Sequence, residues 1–145
     1  MDDWFCRCRI DLQKIILLKS QKKLLLEHAE NEKPNESCAI LFGTTKEERI
    51  LVKEIFLTKN IEKSPINFTI SNDQLIKGYN IAEEKKMEVV GIFHSHPESI
   101  AYPSNTDKKF MYSNPVVWVI YSGISREFKA YILDKEAIEI QTEFL

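Results

Sequence analysis

The sequence contains no apolar run long enough to cross a bilayer, and it lacks the basic start of a secretory signal. The longest early apolar run covers residues 15–18, between Lys14 and Lys19, whereas a spanning helix needs about 20 apolar residues. The first residues, Met1-Asp2-Asp3-Trp4, are acidic, while a signal peptide begins with basic residues. We therefore expect a cytoplasmic protein without a membrane partner.

Cysteine is scarce, which argues against a disulfide-stabilised secreted scaffold. The chain has three cysteines, Cys6, Cys8 and Cys38, and an odd number cannot form a complete set of intramolecular disulfides. Cys6 and Cys8 have no second pair that would complete a four-cysteine zinc site. We expect ordinary thiols and leave the role of the Cys6-x-Cys8 pair open.

No strong charge of one sign is present, because the formal net charge of the 145-residue chain is -2. A nearly neutral chain without a basic cluster gives no reason to expect a nucleic-acid partner. The composition, with 43 % hydrophobic and 29 % charged residues, is typical of a globular protein. No repeat or linker divides the sequence, so we expect a single domain over residues 1–145.

Apolar periodicity and turn residues predict the secondary structure. Helices are expected after Ser20, Ser71 and Ser104, each of which offers a hydroxyl as an N-cap, and Pro34 ends the first of them. The expected strands are 15–18, 38–42, 49–57, 89–94, 116–121, 127–133 and one near residue 138. This pattern predicts an α+β domain with a mostly antiparallel sheet and two or three helices.

The chemically informative stretch contains His94-Ser95-His96-Pro97 and also Ser104 and Asp107; seven residues separate His96 from Ser104. Residues two apart on a strand face the same side, so the two imidazoles project together while Ser95 points away. Asp107, in the first turn of the next helix, can supply a third ligand. Three protein ligands that leave one position for water are typical of a catalytic zinc site, so we expect one Zn²⁺ per chain.

These residues resemble the JAMM motif of the MPN-domain metalloproteases, the Mov34 and Pad1 relatives. The resemblance covers about residues 15–133, with 1–14 as an N-terminal extension, and implies one MPN domain of the cytidine-deaminase-like fold. It implies that His94, His96 and Asp107 bind zinc. By the same resemblance, Glu36 in the segment 35–43 is the general acid and base, and Ser104 hydrogen-bonds the oxyanion of the tetrahedral intermediate.

The resemblance also implies the substrate: a ubiquitin-like or sulfur-carrier protein, released from its conjugate by an isopeptidase or peptidase. Such a substrate ends in a flexible tail, which the segment from Asn60 to Ile70 would hold extended, with Asn60 as a backbone anchor and Phe68 as a wall. The short loops leave little material for recognising chain linkage, so we expect weak linkage discrimination.

Three other functions remain open. The protein could hydrolyse small amides or cell-wall peptides with zinc, or act as an MPN scaffold without turnover. A zinc base deaminase is disfavoured, because no Pro-Cys-x-x-Cys follows the histidines. Ser104 taken alone is an ordinary helix cap, and neither Ser95 nor His28 is expected to have a chemical role. The sequence leaves the oligomeric state open.

Overall fold

A computed structural model describes residues 11–145, so Cys6, Cys8 and most of the expected N-terminal extension lie outside the described residues. The described chain contains seven strands and three helices. In chain order they are β1 Lys14–Leu17, α1 Lys19–Glu32, β2 Cys38–Lys46, β3 Arg49–Thr58, α2 Asn72–Glu84, β4 Glu88–His96, α3 Asn105–Ser113, β5 Val117–Ser122, β6 Phe128–Asp134 and β7 Glu136–Phe144.

The strands form one closed barrel-like sheet in the order β1-β3-β2-β4-β5-β6-β7, with β7 paired to β1. Three of its seven pairings are parallel: β1 with β3, β1 with β7, and β4 with β5. The expectation of a mostly antiparallel sheet was therefore wrong. The connection through α3 is long enough to carry the chain back, so that β5 runs beside β4 in the same direction.

Helices cover both faces of the central strands, which explains why those strands are apolar throughout. Alternate residues of β2 pack into two separate cores: Ala39 and Leu41 lie with Leu25 and Ala29 of α1, and Ile40 lies with α2 and α3. A strand buried on both faces is a continuous hydrophobic run rather than an alternating one. The histidines of β4 share the face of Ile40.

Two boundaries differ from those expected. β2 continues past Gly43, which was expected to end it, because a β-bulge at this position brings the backbone of the neighbouring strand close. A Cβ atom at Gly43 would lie 1.9 Å from the Leu51 carbonyl oxygen, so only glycine fits there. The first helix begins before Ser20, and the Leu18 N–H donates to the Gln21 side chain at 2.8 Å.

None of the helices among residues 11–145 combines the length and the apolar character that a membrane-spanning helix needs.

Candidate metal centre

The C-terminal end of β4 brings the two histidines of the motif into one buried cluster. His94 and His96 are 0 % and 4 % exposed, and their Nε2 atoms lie 3.0 Å apart. The intervening Ser95 points to the opposite face, where it contacts Ser37. The period-two alternation of a strand therefore gives the pairing of imidazoles expected from the sequence.

Asp107 completes a compact triangle of donor atoms. Its Oδ2 lies 3.1 Å from the Nε2 atom of His94 and 3.1 Å from that of His96. Ligand atoms held 2.0–2.1 Å from a tetrahedral zinc ion lie about 3.3 Å from one another. Two imidazole nitrogens and one carboxylate oxygen at these separations fit such an ion.

The first turn of α3 fixes the Asp107 carboxylate. Ser104 accepts the Asp107 N–H at 3.0 Å with its hydroxyl, and its own N–H donates to Asp107 Oδ2 at 2.9 Å. This capping box orients the carboxylate oxygen that faces the histidines. Ser104 is thus the helix cap that its sequence context indicates, and the residue is exposed to solvent.

The two imidazoles are oriented in different ways. His96 Nδ1 lies 2.8 Å from the Ile100 carbonyl oxygen, and an N–H donated to this acceptor leaves the Nε2 lone pair directed at the cluster. His94 Nδ1 is buried without a hydrogen-bond partner among the described residues. The His94 ring is instead packed against Phe68, with centroids 4.7 Å apart, and against Trp118 at 5.7 Å.

The loop that supplies the Ile100 carbonyl is itself anchored by side chains from two strands. Ser122 donates its hydroxyl to the Ser99 carbonyl at 2.7 Å, and Tyr131 donates to the Ala101 carbonyl at 2.5 Å. No sequence pattern indicates these two contacts, because each joins a strand side chain to the main chain of a loop more than 20 residues away in sequence.

Glu36 reaches the same cluster from the residues that precede β2. It is 3 % exposed, and one of its carboxylate oxygens lies within 4.8 Å of a ligand nitrogen of each histidine. Its Oε1 atom has no hydrogen-bond partner among the described residues. Burial raises the pKa of Glu36 to about 8, with nearby His96 opposing this shift and Asp107 adding to it.

The pKa values of the other cluster residues diverge. Burial raises the pKa of Asp107, but hydrogen bonds with His94 and His96 outweigh this and hold it well below its usual range. Burial lowers the pKa of His94 despite the hydrogen bond with Asp107. Burial also opposes the charged form of His96, yet Asp107 and the Ile100 carbonyl raise its pKa. The cluster therefore holds one firmly ionised carboxylate and one largely neutral imidazole.

The two residues expected to contact substrate lie inside the protein's own structure. Asn60 is 6 % exposed, and its side-chain nitrogen donates to the carbonyls of Glu36 at 3.1 Å and Asn67 at 2.9 Å. Its Oδ1 accepts the Thr69 N–H at 3.1 Å. Phe68 is 4 % exposed and stacks on His94, so these side chains organise the loop next to the cluster. Their contact with substrate stays a prediction.

Residues 19–132 match the family described as prokaryotic homologs of the JAB domain. A desampylase of Pyrococcus furiosus is 38 % identical over 101 residues, which cover 70 % of this chain and 69 % of that protein. A CysO-cysteine peptidase of Mycobacterium tuberculosis is 31 % identical over 98 residues, which cover 68 % of this chain and 66 % of that protein. The Lys-63-specific deubiquitinase BRCC36 of Camponotus floridanus is 28 % identical over 102 residues, which span 66 % of this chain and 40 % of that longer protein.

Two solved structures share the fold. A protein of Desulfitobacterium hafniense, known from a solution structure, superposes with a TM-score of 0.82 at 24 % identity and covers 90 % of this chain and 92 % of its own. A JAB1/MPN domain protein from Archaeoglobus fulgidus superposes with a TM-score of 0.56 at 21 % identity; the superposition covers 90 % of this chain and 98 % of that one. From the family match and these relatives, we conclude that the chain belongs to the prokaryotic JAB domain family and is a JAMM-type hydrolase.

Proposed function

We propose that this protein is a zinc-dependent isopeptidase that releases ubiquitin-like or sulfur-carrier proteins from their conjugates. The observation that carries the proposal is the triangle of His94 Nε2, His96 Nε2 and Asp107 Oδ2, whose sides measure 3.0–3.1 Å. The buried and unpartnered Oε1 of Glu36 lies beside it. Two imidazoles, one carboxylate and an adjacent buried base are the parts that a zinc hydrolase needs.

Two groups of three ligands share the histidines, one with Asp107 and one with Glu36. The atoms of the group with Glu36 spread to as much as 4.8 Å, whereas Asp107 Oδ2 lies 3.1 Å from each histidine. The strongly lowered pKa of Asp107 keeps it anionic, as a metal ligand must be. We therefore assign Asp107 as the third ligand and Glu36 as the base.

Bound at this cluster, zinc would supply a Lewis acid and lower the pKa of a water molecule from 15.7 to about 7. The chain supplies the proton transfer. Glu36 accepts the proton of the attacking water and delivers it to the leaving amine. Ser104, whose oxygen accepts the Asp107 N–H, keeps its hydroxyl hydrogen for the substrate oxyanion.

The substrate class is proposed from the relatives, since a desampylase, a CysO-cysteine peptidase and a deubiquitinase all act on such proteins or their conjugates by name. A second observation supports an extended tail. The N–H of Thr69 donates to Asn60 and its C=O accepts from Ile61, whereas the main-chain groups of Phe68 and Ile70 bond to no other residue within 11–145. In an extended segment, alternate residues direct these groups to the other side, so an open edge lies beside His94.

The test is cleavage of ubiquitin-like proteins that end in Gly-Gly and are joined to a lysine or to a linear extension. Zinc-loaded wild-type protein should cleave, and the same protein with a zinc chelator should not. Glu36→Gln should keep zinc and lose nearly all turnover, because an amide cannot carry the proton. If zinc-loaded protein cleaves small peptide amides but no fusion, the small-amide hydrolase replaces this proposal. If it binds zinc and cleaves neither kind of substrate, the proposal of an MPN scaffold without turnover replaces this one.

A further inference from the structure

Two buried serine hydroxyls face each other between the candidate base and the strand that carries the histidines. Ser37 is 0 % exposed and Ser95 is 2 % exposed. The Ser95 hydroxyl oxygen accepts the Ser37 N–H at 2.8 Å and the Ser37 hydroxyl at 2.9 Å. A buried hydroxyl costs free energy unless it is hydrogen-bonded, and these two serines satisfy each other.

The position of this pair in the sheet sets it apart from ordinary strand pairing. β2 and β4 pair at Cys38 opposite His94, and one further main-chain bond runs from the Ser95 N–H to the Ser37 carbonyl at 3.0 Å. Beyond it the chain turns away to place Glu36 in the cluster. The Ser37 N–H therefore finds no strand carbonyl, and the Ser95 hydroxyl takes its place.

Three hydrogen bonds thus join the residue next to the base to the residue between the two histidines. The other side of Glu36 is held by a different segment: its N–H donates to the Ser64 carbonyl at 2.8 Å, and its carbonyl accepts from Asn60. No hydrogen bond to a described residue holds the Oε1 atom of the Glu36 carboxylate, whereas the main chain of Glu36 is hydrogen-bonded through both its N–H and its C=O.

We propose that Ser95 is a positioning residue, which through Ser37 fixes the distance between Glu36 and the histidine cluster. The inference rests on the proposed function, because the reaction requires Glu36 to reach a water molecule at that cluster. Displacement of a reacting group by about 1 Å can lower a rate by about 100-fold. The Ser95 side chain points away from the histidines, so its loss should move the base and leave the ligands in place.

The first test separates turnover from metal binding. Ser95→Ala should lower kcat by about 10- to 100-fold, while KM and the zinc dissociation constant change by less than about 3-fold. The absorption spectrum of the cobalt-substituted protein, which reports the ligand geometry, should not change. Ser37→Ala should have a smaller effect, because its N–H still reaches Ser95. The double variant should be no slower than Ser95→Ala, since both hydroxyls act as one unit.

The second test needs no activity. In Ser95→Ala, main-chain hydrogen exchange should accelerate in residues 35–37 and stay unchanged in β5 and β6. Thr58→Val is the matched control, because it also removes a buried hydroxyl, one that donates to the Cys38 thiol at 3.3 Å. Thr58→Val should leave kcat and the exchange of residues 35–37 unaltered.

The outcomes distinguish the inference from the proposed function. If wild-type protein cleaves no fusion, the function is wrong, and the exchange experiment still tests the serine pair. The inference is overturned if Ser95→Ala leaves exchange at 35–37 unchanged, or if it folds and retains kcat within about 3-fold. It is also overturned if zinc affinity falls as much as kcat, because Ser95 would then act on the ligands. Should Ser95→Ala not fold, Ser37→Ala is judged by the same measurements.

Discussion

The buried carboxyl group of Glu36 should destabilise the metal-free protein at alkaline pH, and Glu36→Gln should remove this penalty. Burial raises the pKa of Glu36 from 4.5 to about 8 in the folded state. Between these values the folded chain binds more protons than the unfolded chain, so its stability falls as pH rises. The penalty is nearly absent below pH 4.5 and fully developed above pH 8. A glutamine, being neutral at every pH and similar in size, carries no such penalty.

The size of the effect follows from the two pKa values. Their difference corresponds to at most about 5 kcal/mol, since each pKa unit is worth about 1.4 kcal/mol. Local relaxation and hydration of the folded state offset part of the desolvation, so we expect Glu36→Gln to add about 2 kcal/mol at pH 8.5. For a chain of this length that corresponds to a rise in melting temperature of about 6–8 °C, against about 1–2 °C at pH 5.

The measurement is thermal unfolding of wild type and variant at pH 5 and pH 8.5, both with excess chelator. Glu98→Gln is the matched control, because Glu98 lies close in sequence to His96 but is exposed to solvent. The control should change the melting temperature by less than about 1 °C at either pH. An equal gain at both pH values, or no gain at pH 8.5, would show that the folded protein holds Glu36 in a hydrated place. The reasoning about its burial would then fail.

Three further predictions concern the loaded enzyme. His94→Ala, His96→Ala and Asp107→Ala should each lose most of the roughly one zinc per chain, measured by metal analysis after dialysis; full occupancy in any of them removes that residue from the ligand set. Ser104→Ala should keep zinc and lower kcat by about 10²–10³-fold. If kcat is unchanged and only the melting temperature falls, Ser104 acts as a helix cap and not on the oxyanion. Replacing the substrate's terminal glycines with bulky residues should abolish cleavage, because the tail backbone must approach the open edge closely; equal cleavage of both fusions favours the small-amide hydrolase.

Most of the secondary structure was predictable from apolar periodicity, but periodicity does not say whether neighbouring strands run parallel or antiparallel. A strand, a helix and a strand in succession can pair the two strands in parallel, as β4 and β5 do. The same succession also leads from β1 to β2 and from β3 to β4, whose strands are not neighbours in the sheet. The succession of elements was therefore visible in the sequence, but it did not identify which strands pair in parallel. The two pairings of β1 carried no comparable signal. A four-residue strand, Lys14–Leu17, is too short for its pattern to identify which neighbours it joins.

The candidate site was predictable where a local rule applied and unpredictable where tertiary contacts decide. The strand period brought His94 and His96 together, and the N-cap rule placed Asp107 in the first turn of a helix. Phe68 illustrates the limit. An apolar residue in a short extended stretch can be a wall of a substrate groove or a core side chain. The structure shows that Phe68 is buried in the core and stacks on His94, which the sequence around it does not indicate.

The burial of Glu36 links the cost in stability to the proposed chemistry. A general base works best when its pKa lies near the pH of the reaction, and an exposed glutamate, with a pKa near 4.3, is too weak to accept a proton efficiently at neutral pH. Burial moves the pKa of Glu36 upward, to about 8, while a cation bound by the neighbouring ligands would move it back down by favouring the ionised form. The two effects oppose each other: the cation favours the ionised carboxylate, which can accept a proton, and burial makes that carboxylate more basic. The same desolvation that destabilises the metal-free fold therefore makes this glutamate a competent proton carrier, which is why Glu36→Gln should gain stability and lose turnover together.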